Sequence, residues 1–167
     1  MSSRSGGFRV PGARLHYKVQ GAGPILLLLS PGAGDADSYD GLAAYLTNRY
    51  TVLTLDRRGY ARSPLDDAAA TYGIETHSDD AHRLLAHLSS EPADVFGSSI
   101  AALIALDLGV RHPAQVRTLV AHEPPLEQLL APAERPKENL LELYRRHGGA
   151  SAIRGFGRQH RCATGRR

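Results

Sequence analysis

The sequence predicts an α/β fold: a mostly parallel sheet with helices on both faces. Three observations carry this. Strand-length apolar runs alternate with helical stretches from position 25 to position 121, the pattern that builds a parallel sheet. The run at 25–29 is apolar without alternation, as expected of a strand covered on both faces. Breaks rich in glycine or proline follow strands at their carboxyl ends, where such sheets bind ligands.

Each element has its own signal. Positions 8–10 and 13–19 read as two short strands around Pro11-Gly12, with Leu15, Tyr17 and Val19 alternating against His16 and Lys18. The buried strand at 25–29 ends at Ser30-Pro31-Gly32-Ala33-Gly34. Positions 37–47 read as a helix with Leu42, Tyr45 and Leu46 on its apolar side, and 50–55 as the next buried strand. Ala81, Leu84, Leu85 and Leu88 stand at helical spacing in 75–88, and Thr76 with Asp79 fits a capping box at its start. A short strand at 93–96 precedes an almost wholly apolar helix at 100–110, expected to be buried on most sides. His112-Pro113 follows, then a strand at 116–121. Positions 136–146 read as a last amphipathic helix, with Leu140, Leu143 and Tyr144 on its apolar side.

The chemistry concentrates at Gly97-Ser98-Ser99-Ile100-Ala101. A strand, a tight turn and a helix give the context that a nucleophile elbow needs. In that register Ser99 is the nucleophile, with Gly97 two residues before it and Ala101 two after. The helix start offers free N–H groups and a positive dipole end to a developing oxyanion. The bland alternative is a strand-to-helix turn with two serines capping the helix.

Over residues 8–147 the chain resembles the α/β-hydrolase family. Three landmarks stand in the family's order: the strand and loop ending Ser30-Pro31-Gly32-Ala33-Gly34, the turn Asp56-Arg57-Arg58-Gly59-Tyr60-Ala61-Arg62-Ser63, and the elbow. Alanine replaces one of the family's glycines in both the second and the third. The resemblance implies hydrolysis of a small ester- or amide-like substrate through Ser99. The backbone N–H of Ile100 would be one oxyanion donor, and Gly32, or Ala33 in a register shifted by one, the other. Glu123 stands where some members carry the acid, the alternative being a solvent-facing carboxylate. The family's histidine lies beyond the last strand reached here. Of the eight histidines, His16, His82, His87 and His112 read as surface positions and His77 as lying near a helix start; His122 is the one placed to reach Ser99, the alternative being a pocket-lining residue.

The same resemblance divides the chain into a partial core at 1–125, the start of a cap at 126–148 and a basic, disordered tail at 149–167. The tail lacks any acidic residue or strand-length apolar run, and reads as out-of-frame sequence in a truncated product. Without further strands, the strand at 116–121 becomes a sheet edge, with Leu119 and Val120 uncovered and open to self-association. The competing functional reading is a non-catalytic ligand- or partner-binding remnant of the same fold.

Composition excludes other classes. Cys162 is the single cysteine, so no internal disulfide forms. The net charge of +3 comes from seven arginines between 145 and 167, while the rest carries a net −4; a basic tail is weaker than the basic face that nucleic-acid binding needs. No apolar run approaches the ~20 residues of a membrane span, and none follows the start as in a signal peptide. The expectations are a cytoplasmic protein acting on a small molecule, with no nucleic acid or membrane partner, no cofactor and no metal.

Overall fold

The computed structural model describes residues 3–126, 129, 145 and 146. The chain divides into two compact units, Met1–Pro125 and Leu126–Arg167. The first holds a six-stranded mixed sheet in the order β1-β2-β4-β3-β5-β6. Its strands are β1 (Ser3–Val10), β2 (Ala13–Gly21), β3 (Ile25–Leu29), β4 (Thr51–Leu55), β5 (Ala93–Ser98) and β6 (Val116–His122), and its helices are α1 (Asp40–Leu46), α2 (Ile74–Leu88) and α3 (Ile100–Arg111). The β1–β2 and β2–β4 pairs are antiparallel, and the β4–β3, β3–β5 and β5–β6 pairs are parallel.

The sheet is covered on both faces, as its apolar strands require. Successive side chains of a strand point to opposite faces. Leu27 and Leu29 of β3, Leu53 and Leu55 of β4 and Val95 of β5 join one core with Ala81, Leu84 and Leu85 of α2 and Ala101, Ile104 and Leu108 of α3. Leu28 and Val52 face the other way and pack with Ala43 of α1. From β3 the chain steps outward to β4 and then reverses to place β5 on the opposite side of β3. That reversal brings the carboxyl ends of β3 and β5 together at a switch point.

Several local expectations are corrected. β1 starts at Ser3 rather than Phe8. A Cβ at Gly6 would meet the Tyr17 ring and one at Gly7 the Arg14 guanidinium, so the bare backbone of Gly6 and Gly7 leaves room for β2 side chains to lie across it. α1 starts at Asp40 because Asp35 and Ser38 close a turn first: Asp35 N–H donates to Ser38 Oγ at 2.9 Å, and Ser38 N–H to the Asp35 carbonyl at 3.2 Å. Its buried residue is Ala43, while Leu42 and Tyr45 are exposed, Tyr45 at 82%. The small Ala43 lets the helix lie close on Leu28 and Val52, which turns Leu42 and Tyr45 outward while Leu46 packs against that cluster as expected. Thr76 is the third residue of α2 and not its cap: Gly73 N–H donates to Thr76 Oγ1 at 3.4 Å, while Asp79 pairs with Arg111 at 2.7 Å. On α3, Val110 is 79% exposed. The expected helix at 136–146 and the tail lie outside the described residues apart from Arg145 and Arg146, which are helical.

Among the described residues β6 is an edge of this sheet. Val120 is half exposed, as an edge residue should be. Leu119, expected to lose its cover, packs against the core instead. Among the described residues no helix is long and apolar enough to cross a membrane.

Candidate active site

Ser99 sits between β5 and α3 with φ 55° and ψ −126°. An L-residue rarely occupies this half of the map, and holding it there costs about 1–3 kcal/mol. Two backbone bonds fix it: Ser99 N–H donates to the His122 carbonyl at 2.9 Å, and Ala102 N–H donates to the Ser99 carbonyl at 2.9 Å. Gly97 makes the turn sterically possible. A Cβ there would lie 2.3 Å from the Ala101 carbonyl oxygen and 2.9 Å from the Ala102 Cα, so strand and helix approach closer than any side chain allows. As the first helical residue, Ile100 has an N–H with no intrahelical acceptor.

The loop after β3 lies beside this turn. Leu29 pairs with Gly97 across the β3–β5 ladder, so Ser30 onward leaves the sheet next to Ser98 and Ser99. Gly32 has φ +50°, and Gly34 N–H donates to the Pro31 carbonyl at 2.8 Å. Gly32 and Ala33 are both exposed. The Gly32 carbonyl accepts a hydrogen bond from Arg57 Nη2.

Asp56, fully buried at the end of β4, ties the loops together. It accepts from Ala36 N–H at 2.7 Å and from Arg62 at its backbone N–H, Nε and Nη2, at 2.9, 2.7 and 2.9 Å. Burial alone would raise the Asp56 pKa, but the Arg62 guanidinium and the two amides hold it below the usual carboxylate range. Ser63 Oγ donates to the Asp56 carbonyl at 2.7 Å and accepts from His16 N–H at 2.8 Å, and Thr54 Oγ1 donates to the Ala36 carbonyl at 2.7 Å. The Asp-x-x-Gly-x-x-x-Ser turn is therefore a clamp on the neighbouring loop. Ala61, where the family's glycine would stand, carries φ 44°.

His122 reaches the elbow by a different route from the one expected. Its register partner is Ser98, and Ser98 Oγ lies 3.2 Å from His122 Nδ1. The ring stacks near Phe96 at 6.3 Å. Ser98 also hydrogen-bonds Tyr39, whose phenol is shifted upward by burial against that bond. Glu123 has φ 50°, and its Oε2 lies 4.0 Å from His122 Nδ1. The structure thus brings Ser99, Ile100, His122 and Glu123 to one end of β5 and β6, with the imidazole bonded to Ser98 rather than Ser99.

Sequence reading missed a second group of residues. Arg57 is 4% exposed and stacks over Tyr60 at 4.6 Å. His77 is buried, its Nδ1 has no hydrogen-bond partner, and Tyr72 meets it edge-on at 5.2 Å. Burial first, then the charges of Arg57 and Arg58, push its pKa down to about 4. His77 stands four residues before Ala81 on the buried stripe of α2, a helical spacing that was visible in the sequence. Of the histidines read as surface positions, His87 is exposed and stacks on Phe8, whereas His82 and His112 are half-buried and stack on each other at 3.7 Å.

A family model described as the alpha/beta hydrolase fold matches residues 24–162. YraK of Bacillus subtilis, an uncharacterized hydrolase, is 55% identical over 130 residues, covering 78% of this chain and 48% of that protein. Among solved structures, a Pseudomonas aeruginosa protein provisionally described as an epoxide hydrolase superposes with a TM-score of 0.66 at 28% identity, over 70% of this chain and 40% of that one. A bacterial membrane phospholipase A gives 0.65 at 28% identity, over 70% and 38%. The chain spans about half the length of YraK. It belongs to the α/β-hydrolase family.

Proposed function

We propose that this hydrolase acts on small ester- or amide-like substrates by acyl transfer through Ser99. The observation that carries the reading is the backbone of Ser99: a non-glycine residue with φ 55° between a parallel strand and a helix, beside the 30–34 loop. Such a turn lifts a hydroxyl above the sheet. In this reading the Ile100 N–H and that of Gly32, or of Ala33, receive the developing negative charge. His122 is the imidazole that β6 brings to the elbow. With Nδ1 engaged by Ser98, a base role toward Ser99 falls to Nε2, and Glu123 beside Nδ1 favours the tautomer that leaves Nε2 free.

A fluorophosphonate probe tests this. Labelling of the wild-type chain at Ser99, mapped by peptide mass spectrometry and lost in Ser99→Ala, supports the reading. No labelling of the folded wild-type chain sinks it.

The second reading is a ligand-binding module without turnover. It is favoured by the contact of His122 with Ser98 in place of Ser99. His122→Gln separates the two. A base role predicts labelling slowed at least tenfold, whereas the binding reading predicts saturable small-molecule binding, no covalent adduct and no effect of the substitution on chemistry.

A further inference from the structure

Arg57 is a buried cation without a carboxylate among the described residues. Among the described residues the ion pairs assign Asp80 to Arg58 and Asp56 to Arg62, and none includes Arg57. The groups that favour its charge are the phenols Tyr60 and Tyr72, while burial opposes it. Its Nε has no hydrogen-bond partner. A guanidinium held in this way carries a desolvation cost that its own neighbours do not offset. What it does touch is the 30–34 loop, where Nη2 donates to the Gly32 carbonyl.

From this contact we propose that Arg57 is a positioning residue for the 30–34 loop, pinning the Gly32 carbonyl so that the neighbouring backbone N–H groups stay aimed at the anion formed on Ser99. The catalytic half of this inference rests on the Ser99 reading above. The physical link is peptide geometry. In a trans peptide the carbonyl of one residue and the N–H of the next point in opposite directions. Fixing the Gly32 carbonyl toward Arg57 therefore directs the Ala33 N–H away from it, and fixes ψ of Gly32, the residue with fewest steric restraints in the loop. Gly32 is exposed and a Cβ on it would meet nothing within 4 Å, so packing does not hold it. The clamp through Asp56 reaches Ala36 and not Gly32. Arg57 also sets a positive charge in a low-dielectric site behind the donors, where it strengthens their interaction with an oxyanion.

Three variants separate the pin from the charge. Arg57→Lys keeps the cation and loses the planar fork. Arg57→Gln keeps an amide donor and loses the charge. Arg57→Met loses both, and circular dichroism shows whether each is folded. The first readout is amide hydrogen exchange and needs no chemistry at Ser99. We expect exchange at Gly34, whose N–H is the loop amide with an acceptor, the Pro31 carbonyl, to accelerate at least tenfold in Arg57→Met, or in Arg57→Lys should the Met variant not fold, while β3 and α2 amides stay protected. Unchanged exchange at Gly34 in the folded variants overturns the proposal. The second readout is the rate of fluorophosphonate labelling at Ser99, expected to fall at least tenfold in Arg57→Met and to recover in part in Arg57→Lys. Faster exchange with an unchanged labelling rate overturns the catalytic half. A wild-type chain that never labels refutes the serine reading, while the exchange measurement still decides the pin.

Discussion

The two halves of the site are built to different standards. On the loop side, residues 30–63 are held by redundant bonds: Asp56 alone accepts four, Ser63 joins two strands, and Lys18 of β2 fastens Asp37 and Asp40 at 2.8 and 2.6 Å. On the elbow side, the strained Ser99 depends on one glycine, one carbonyl of β6 and a strand with no neighbour beyond it among the described residues. A network survives the loss of a peripheral member by sharing its load and fails only at its hub, whereas a steric contact between two backbones has no slack. The contrast suggests that the loop side withstands perturbation through many weak links and the elbow side through a single tight fit.

The largest expected effect tests the network at its hub. Asp56→Ala leaves the Ala36 N–H buried without an acceptor and strips Arg62 of its buried partner, leaving it only Asp37 at 3.0 Å, and should destabilise the chain by about 4 kcal/mol, read from urea denaturation. A loss under half of that would mean the network has a second centre. Gly97→Ala tests the tight fit. The added methyl meets the α3 backbone at Ala101 and Ala102, and we expect a loss of about 3 kcal/mol together with loss of labelling at Ser99. A near-neutral Gly97→Ala would show that strand and helix can separate, and the contrast would disappear.

A smaller effect concerns the buried His77 behind the loop side. Its folded pKa of about 4 lies below the ordinary 6.5. The unfolded chain therefore takes up a proton between these values that the folded chain refuses, so this contribution is intact well above pH 6.5 and declines as pH falls toward 4, by about 2 kcal/mol at pH 5. Asp56, with its lowered pKa, acts in a separate window, its contribution being lost only as pH falls below about 4. Urea midpoints at pH 7 and pH 5 should differ in the wild type and converge in His77→Gln. The smallest effect is at Ala61, whose φ of 44° suits glycine better. Ala61→Gly should stabilise by about 0.5 kcal/mol, the relief of strain being reduced by the greater freedom of glycine when unfolded.

Much of this architecture was legible in the sequence, for reasons that differ by residue. The strands β3 and β4 announce themselves because burial on both faces leaves little room for polar residues, and Gly97 marks the elbow because backbone contact forbids any side chain. The first strand was half hidden, since Gly6 and Gly7 carry no side chain to signal a strand and the partner side chains that lie over them show only in the structure. The apolar side of α1 was read rightly at Leu46, which packs on the Leu28–Val52 cluster, and wrongly at Leu42 and Tyr45, because size outranks hydrophobicity where a helix must lie close: Ala43 goes in and Tyr45 stays out. Arg57 could not have been found. Its contact with Gly32 spans 25 residues of chain and joins a side chain to a carbonyl, and carbonyls carry no signature in a sequence. His77 could have been found from its helical spacing, but a histidine near a helix start looks like a surface residue until the stripe is extended backward to include it.

If Ser99 is the nucleophile proposed above, the bond from its N–H to the His122 carbonyl makes that hydroxyl hostage to the outermost ribbon of the sheet among the described residues. Peeling of that ribbon, by protease or by annealing to a foreign strand, would let the turn relax and silence the serine while the interior remained intact. Inactivation and melting should then follow separate clocks, with chemistry running down first.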